Sequence, residues 1–212
     1  MFQTKVCDLP IKMLSFFLLL WYYISERGEK MLRTKDILDE KDKRLRNKNI
    51  DVTFPLSNEE KKLIKDMLEH LHLSQIEKYA TKYNLRPGMG LAAPQVGLNK
   101  NFFVVCHEES ENVFRNYVLI NPKMVSHSEE LVYSSCGEGC LSVNRDVEGI
   151  VPRYARVTFE GYDEDGNYIK YRAREELSIA FQHEFDHLNG ILFFDRIDPK
   201  DPFKNADIMR EI

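Results

Sequence analysis

The stretch "ELSIAFQHEFDHLNG", residues 176–190, limits what this chain can fold into more than any other. Wound at about 3.6 residues per turn, it is a helix on which Leu177, Ile179, Ala180, Phe181, Phe185 and Leu188 leave almost no polar side. A helix apolar nearly all round is a buried one. Yet this one also carries His183, Glu184, Asp186 and His187, and buried imidazoles and carboxylates need partners. Other elements must therefore wrap this helix and bring ligands or counter-charges to it. A surface helix carrying His, Glu and Asp for solubility is the bland alternative, and its apolar neighbours count against it.

His183 and His187 sit one above the other on the same helix face, with Glu184 one step round. Zinc-type hydrolases use this H-E-x-x-H spacing, which supplies two neutral nitrogen ligands and a carboxylate that takes a proton from water. A third ligand must come from elsewhere. "GEGCLSV", residues 137–143, sets Cys140 among small residues beside Glu138. A thiolate is a strong ligand for a borderline metal, and glycines let the backbone approach a ligand closely. On those residues alone, an inert buried cysteine is an equal alternative. "GMGLAAPQVG", residues 88–97, contains G-x-G but no third glycine at the dinucleotide-loop position and no following Gly-Lys-Ser/Thr. It reads instead as a flexible turn leading to Gln95. The Gln95 amide can donate to oxyanion charge beside a metal, and an exposed loop glutamine is the alternative.

The remaining sequence frames these islands. At 212 residues and 43% hydrophobic, the chain suits one globular domain with some extra length. A net charge of −4 and a pI near 5.9 give no sign of a nucleic-acid surface. Four cysteines make no disulfide framework in a chain this long, which points to a reducing compartment. "MLSFFLLLWYYI", residues 13–24, is short of the roughly 20 apolar residues that span a bilayer, and no small-x-small cleavage site follows it. Residues 1–30 are expected to lie outside the fold, as an over-extended translation start before Met31 or, second, as a targeting segment. Residues 31–212 are expected to form a single domain.

Ser57 with Glu60 predicts a capping box, opening a helix with Leu63, Ile64, Met67, Leu68, Leu71 and Leu73 at helical spacing. His70 and His72 lie two apart on that helix, do not share a face, and read as structural or exposed. Val52–Phe54 is expected to be extended. Strand-like runs follow at 102–106, 117–120, 124–135 and 157–173, the last folded by the turn "DEDGN". "GILFFDRI" reads as one more strand. Without regular βαβ alternation, the class predicted is α+β: short, largely antiparallel strands around a buried central helix that carries the histidines.

"GMGLAAPQ", "EGCLS" and "QHEFDH", in that order, strongly resemble the peptide deformylase family, whose pattern runs G-apolar-G-apolar-A-A-x-Q, E-G-C-L-S, Q-H-E-x-D-H. The likeness covers most of residues 31–203, including "DKRLR", "NPKMVSHS", "VPRYARV" and "LNGILFFDRI". The long segment "HLSQIEKYATKYNLRPGMG" resembles the longer bacterial subclass of Gram-positive lineages, whose members begin near what is here Met31. The hydrophobic leader departs from them.

The resemblance implies that Cys140, His183 and His187 bind a divalent metal, natively ferrous iron, with zinc, nickel or cobalt able to take the same site. It implies that Glu184 is the general base, and that Gln95 and the Leu141 N–H stabilise the oxyanion. The reaction implied is removal of the N-formyl group from the initiator methionine of nascent polypeptides. By the same resemblance the peptide lies against Met89, Gly90, Leu91, Glu138 and Gly139, and its methionine enters a pocket made partly by Ile179 and Ala180. Arg153 is a candidate buried partner for Glu138 or Asp186, tying the ligand-bearing segments together; a surface strand residue is its alternative. The partners expected are formylmethionyl nascent chains and a transient contact with the ribosome near the exit tunnel. No nucleic-acid site or stable membrane partner is expected, and the location expected is cytoplasmic, with residues 11–24 leaving a targeting or anchoring role open. Two rivals differ in chemistry. A zinc endopeptidase would take its third ligand downstream, from Asp195 or Asp198. A non-catalytic relative would have lost Glu184 or Gln95, and both are present.

Overall fold

Residues 102–106, "FFVVC", are apolar without a polar alternate, the pattern of a strand covered on both faces. The structure, a computed structural model, describes residues 31–111 and 113–212; the leader expected over residues 1–30 lies outside them. Those five residues open strand β2 (Phe102–Ser110). Phe102, Val104 and Cys106 meet Ile64, Met67 and Leu71 of helix α1 (Asn58–Ser74). Phe103 and Val105 turn the other way, toward Phe181 and Leu188 of helix α3 (Glu175–Leu188). The two-residue period of the strand thus serves two cores at once.

β2 belongs to a five-stranded antiparallel sheet in the order β1 (Gly90–Ala92), β2, β3 (Val113–His127), β6 (Arg156–Tyr162), β7 (Tyr168–Arg174). A smaller sheet has the order β5 (Arg153–Tyr154), β4 (Leu131–Tyr133), β8 (Arg210–Glu211), with β4 antiparallel to β5 and parallel to β8. Helix α2 (Glu77–Tyr83) follows α1. Leu32–Ile212 form one compact unit, mixed α+β with a mainly antiparallel sheet. Among the described residues no helix is long and apolar enough to cross a membrane.

Local chemistry explains most boundaries. Ser57 Oγ accepts from the Glu60 N–H at 3.1 Å, and Glu60 Oε2 accepts from the Ser57 N–H at 2.9 Å, the reciprocal cap predicted for α1. Asp163 accepts from the backbone N–H groups of Asp165 and Asn167, and Gly166 takes the left-handed conformation that closes the β6–β7 hairpin. His70 is buried, with Nδ1 3.1 Å from the Leu32 carbonyl, and His72 packs edge-on against Phe114.

Several expectations need correction. "GILFFDRI" is no strand: Phe193–Arg196 is a 3-10 helix, because Asp195 accepts from the Leu192 N–H at 2.8 Å and caps the turn. The run 124–135 is two strands, interrupted where Ser128 accepts from the Arg156 N–H and donates to the Glu130 carbonyl. The extended run expected at Val52–Phe54 is not among the corrections; the Asn121 side chain takes both the N–H and the carbonyl of Val52, at 2.7 and 3.0 Å. "GLAAPQV" is not a loose turn but strand β1 followed by a 3-10 helix, Ala93–Val96. β2 and β3, at nine and fifteen residues, are longer than the short strands expected.

Candidate metal centre

Helix α3 brings the metal-type ligands to the inner side of the sheet. Phe181 anchors it there, with Phe103, Tyr117, Phe159 and Tyr171 packed edge-on at ring separations of 5.4–6.2 Å. One turn on, His183 and His187 point away from this cluster toward the unpaired segment 137–143. Cys140 comes from that segment, and its Sγ lies 3.3 Å from His187 Nε2. The ligand atoms of Cys140, His183 and His187 all lie within 4.8 Å of one another, and all three residues are buried.

The fit to a metal rests on this donor set and on how the remaining atoms are used. His183 donates through Nδ1 to Glu138 Oε2 at 2.9 Å, which fixes its tautomer and leaves Nε2 for the cluster. His187 Nδ1 and Glu184 Oε2 are buried and make no hydrogen bond to protein. Burial pushes His187 well below the usual imidazole range, keeping it neutral as a ligand must be. For His183 burial works the same way, but Cys140 and Glu138 outweigh it and hold the proton on.

Glu184 stands beside the ligands and against the Gly90 backbone. A β-carbon at residue 90 would fall 2.7 Å from both Cγ and Cδ of Glu184, closer than side chains approach. Burial raises the Glu184 carboxyl to about 7, with His183 and Arg153 pulling the other way. Gln95 is fixed by its Oε1, which accepts from the Ala92 N–H at 2.8 Å. Its Nε2 then points to Ser142 Oγ at 3.2 Å and to Cys140 Sγ at 3.5 Å.

Behind the ligands, Arg153 is buried and bridges two acids. It donates to both oxygens of Glu138, at 2.7 and 2.8 Å, and to Asp186 at 2.6 Å. Burial would raise the Glu138 carboxyl, but the Arg153 charge and hydrogen bonds and the His183 contact hold it down at about 2. Arg196 closes on the outer side of Asp186.

A cavity of about 440 Å³ opens onto this site. Met89, Gly90 and Gln95 line it from one side and Glu138, Gly139, Cys140 and Leu141 from another, with Ile179, Ala180, His183 and Glu184 from α3. Leu91, expected beside the peptide, does not line the cavity; its side chain packs into the core beside α1. His187, Arg153 and Asp186 are buried and do not line this cavity. Asp195 and Asp198, the ligands an endopeptidase would need, pair instead with Arg46 and Lys204.

Three participants escaped the sequence reading. Arg86 donates to the Cys140 carbonyl at 2.6 Å and the Val143 carbonyl at 3.0 Å, bracing the ligand segment. Its place in "LRPG", just before the cavity wall, was the available signal. Ser142 holds Cys140 Sγ through its N–H at 3.4 Å. Ile212 lines the cavity, and nothing in its neighbourhood in the sequence marks it.

The chain is similar to known proteins over most of its length. The family model for polypeptide deformylase matches residues 34–203. Peptide deformylase 2 of Geobacillus stearothermophilus is 46% identical over 177 residues, which is 84% of this chain and 96% of that one. A peptide deformylase of Listeria monocytogenes is 49% identical over 173 residues, 81% of this chain and 94% of its own. Among solved structures, the peptide deformylase of Thermotoga maritima superposes with a TM-score of 0.63 at 32% identity, covering 81% of this chain and all of that one.

Proposed function

The chain belongs to the polypeptide deformylase family, and from that premise we propose which of its residues perform the family's reaction. The activity is hydrolysis of the formyl group from the amino terminus of nascent peptides, a metal-dependent reaction that releases formate. Cys140, His183 and His187 are the metal ligands. The metal is ferrous iron in the native enzyme, and a thiolate with two imidazoles also accepts zinc, nickel or cobalt. When bound, the metal supplies a Lewis acid and lowers the pKa of a water ligand.

The chain's own residues do the rest. Glu184 takes a proton from the attacking water and returns it to the leaving amine; a carboxyl poised at about 7 suits both transfers near neutrality. Gln95 and the Leu141 N–H donate to the oxyanion that develops on the formyl carbonyl. The anchoring of the Gln95 amide by Ala92 supports this, since a preorganised donor costs no reorientation. The peptide lies extended against Met89–Gly90–Leu91 and Glu138–Gly139. Among the described residues β1 pairs only with β2, so its other edge can take a peptide by backbone hydrogen bonds that ignore sequence. The methionine side chain enters the apolar wall of Ile179 and Ala180. Arg153, through Glu138 and Asp186, ties the cysteine segment to the helix.

The helix with its three polar groups is the centre around which the fold is arranged, and residues 31–212 suffice for activity. The substrates arise at the ribosome in the cytoplasm, so the enzyme works there, in transient contact near the exit tunnel. One observation carries the assignment: three metal-type ligand atoms converge beside a buried glutamate whose outer oxygen has no protein partner. Residues 31–212, purified anaerobically with ferrous iron, should release formate from formyl-Met-Ala-Ser, and Glu184→Ala prepared alike should be nearly silent. No turnover by a folded, metal-loaded wild type would refute the assignment.

A further inference from the structure

The small sheet ends in an unusual place. β8 runs parallel to β4, and the pairing carries Ile212 to the cavity. Ile212 is tied there by its backbone: its N–H donates to the Tyr133 carbonyl at 3.0 Å and its carbonyl accepts from the Ser135 N–H at 2.8 Å. Its side chain packs on Val132, Ala155 and Ile179, and Ile179 lines the same cavity.

A second tie fixes the strand to the helix that forms the opposite wall. Arg210 forks onto both oxygens of Glu175 at 2.7 Å each, and also reaches Glu130 at 2.8 Å. Glu175 begins α3 with φ at 53°, a left-handed conformation that a glutamate adopts only when its surroundings hold it. Glu176 and Ile179, which follow on that turn, both line the cavity. β8 therefore clamps the start of α3 and delivers an apolar side chain beside Ile179, at the end of the site away from the metal-binding helix turn.

We propose that Ile212 is a specificity-determining wall of the pocket that takes the side chain of the substrate's first residue, and that Arg210 is the positioning residue that holds it in place. The inference rests on the deformylase reading above and adds to it what closes the methionine pocket. A branched aliphatic side chain there limits pocket width: it contacts a straight thioether chain and crowds an aromatic ring.

The test uses the full chain loaded with ferrous iron, assayed on formyl-Met-Ala-Ser and formyl-Phe-Ala-Ser. Ile212→Ala should raise KM for the methionine peptide by a larger factor than it lowers kcat. The ratio of kcat/KM for phenylalanine over methionine should rise on the order of tenfold, the scale on which apolar pockets discriminate. Arg210→Gln should move the ratio the same way by less. Ile212→Phe should move it the opposite way, so a fold defect, which would depress both substrates together, cannot imitate the pattern. An unchanged ratio in Ile212→Ala, with the wild type active on formyl-Met-Ala-Ser, would overturn the inference and leave the deformylase assignment standing. A wild type inactive on both peptides would bring down both.

Discussion

Arg153→Met tests whether the buried acid pair behind the metal site is held by one guanidinium. Methionine keeps most of the volume and removes every donor. The change deletes two bonds to Glu138 and one to Asp186, all between groups with side chains no more than 5% exposed. Asp186 retains Arg196, whereas Glu138 retains only the His183 N–H. Lowering the Glu138 carboxyl from its ordinary 4.5 to about 2 corresponds to about 3 kcal/mol of stability at neutral pH. Breaking a buried pair and stranding its partner costs about 3–5 kcal/mol by general experience, so the two routes agree. For a chain of this size the melting temperature should fall by roughly 6–20 °C. The pH dependence has a definite sign. In the wild type the Glu138 contribution is complete above about 4.5 and is lost as pH falls toward 2. In the variant only the His183 contact still opposes burial, the carboxyl rises, and acid therefore favours the folded variant. The gap between the two proteins should therefore narrow from neutral pH to about pH 4. Denaturant titrations of metal-free protein at the two pH values measure it without interference from metal loss. A second cycle with Glu138→Gln should recover part of the deficit, because the stranded charge is gone. A deficit below about 1 kcal/mol, or one that does not change with pH, would refute the reasoning.

Three further outcomes follow from the packing and the ligand set. Gly90→Ala should lower kcat/KM on the order of a hundredfold with the fold intact by circular dichroism, since its methyl displaces Glu184; activity within threefold of wild type would show that Glu184 yields without consequence. Cys140→Ala should lose metal and turnover together, read by metal analysis alongside formate release, and a variant that keeps a full metal complement and wild-type turnover removes Cys140 from the ligand set. Phe181→Ala should cost about 3–5 kcal/mol in denaturant unfolding, because its ring touches four others at the helix–sheet seam; a loss under about 1 kcal/mol would mean that the seam closes over the gap.

What could be read from the chain in advance was set by how local its cause is. The α1 cap and the 163–167 turn are closed by residues within four positions of one another, so composition and spacing suffice. The same holds for the His183–His187 face, one turn of helix. The failures came from a cap that composition hides and from pairings at a distance. Leu192–Ile197 has a strand's composition, yet Asp195 finds a donor three residues back and a partner in Arg46, and the chain coils. Ile212 is placed by pairing with residues about eighty positions away, and no pattern in its own neighbourhood encodes that.

Helix α3 shows how partner accounting separates architecture from chemistry. It buries six polar side chains; three of them are fully occupied with structural work, and His183 is occupied through one nitrogen. Ser178 and Gln182 satisfy the Tyr154 backbone. Asp186 is held by Arg153 and Arg196, and His183 gives one nitrogen to Glu138. Each of these bonds repays desolvation, which is the ordinary reason for a polar group inside a protein. Glu184 Oε2 and His187 Nδ1 are the exceptions, buried without a protein partner on adjacent turns. A carboxyl left in that state is raised toward neutrality and costs stability that the fold could recover with a leucine. Retaining it makes physical sense only if the oxygen is used by something that comes and goes. A water delivered to a bound metal, and the formyl group it attacks, are partners of that kind. The sequence pattern H-E-x-x-H says which residue types are present; the partner accounting singles out Glu184, whose Oε2 is buried without a hydrogen bond to protein.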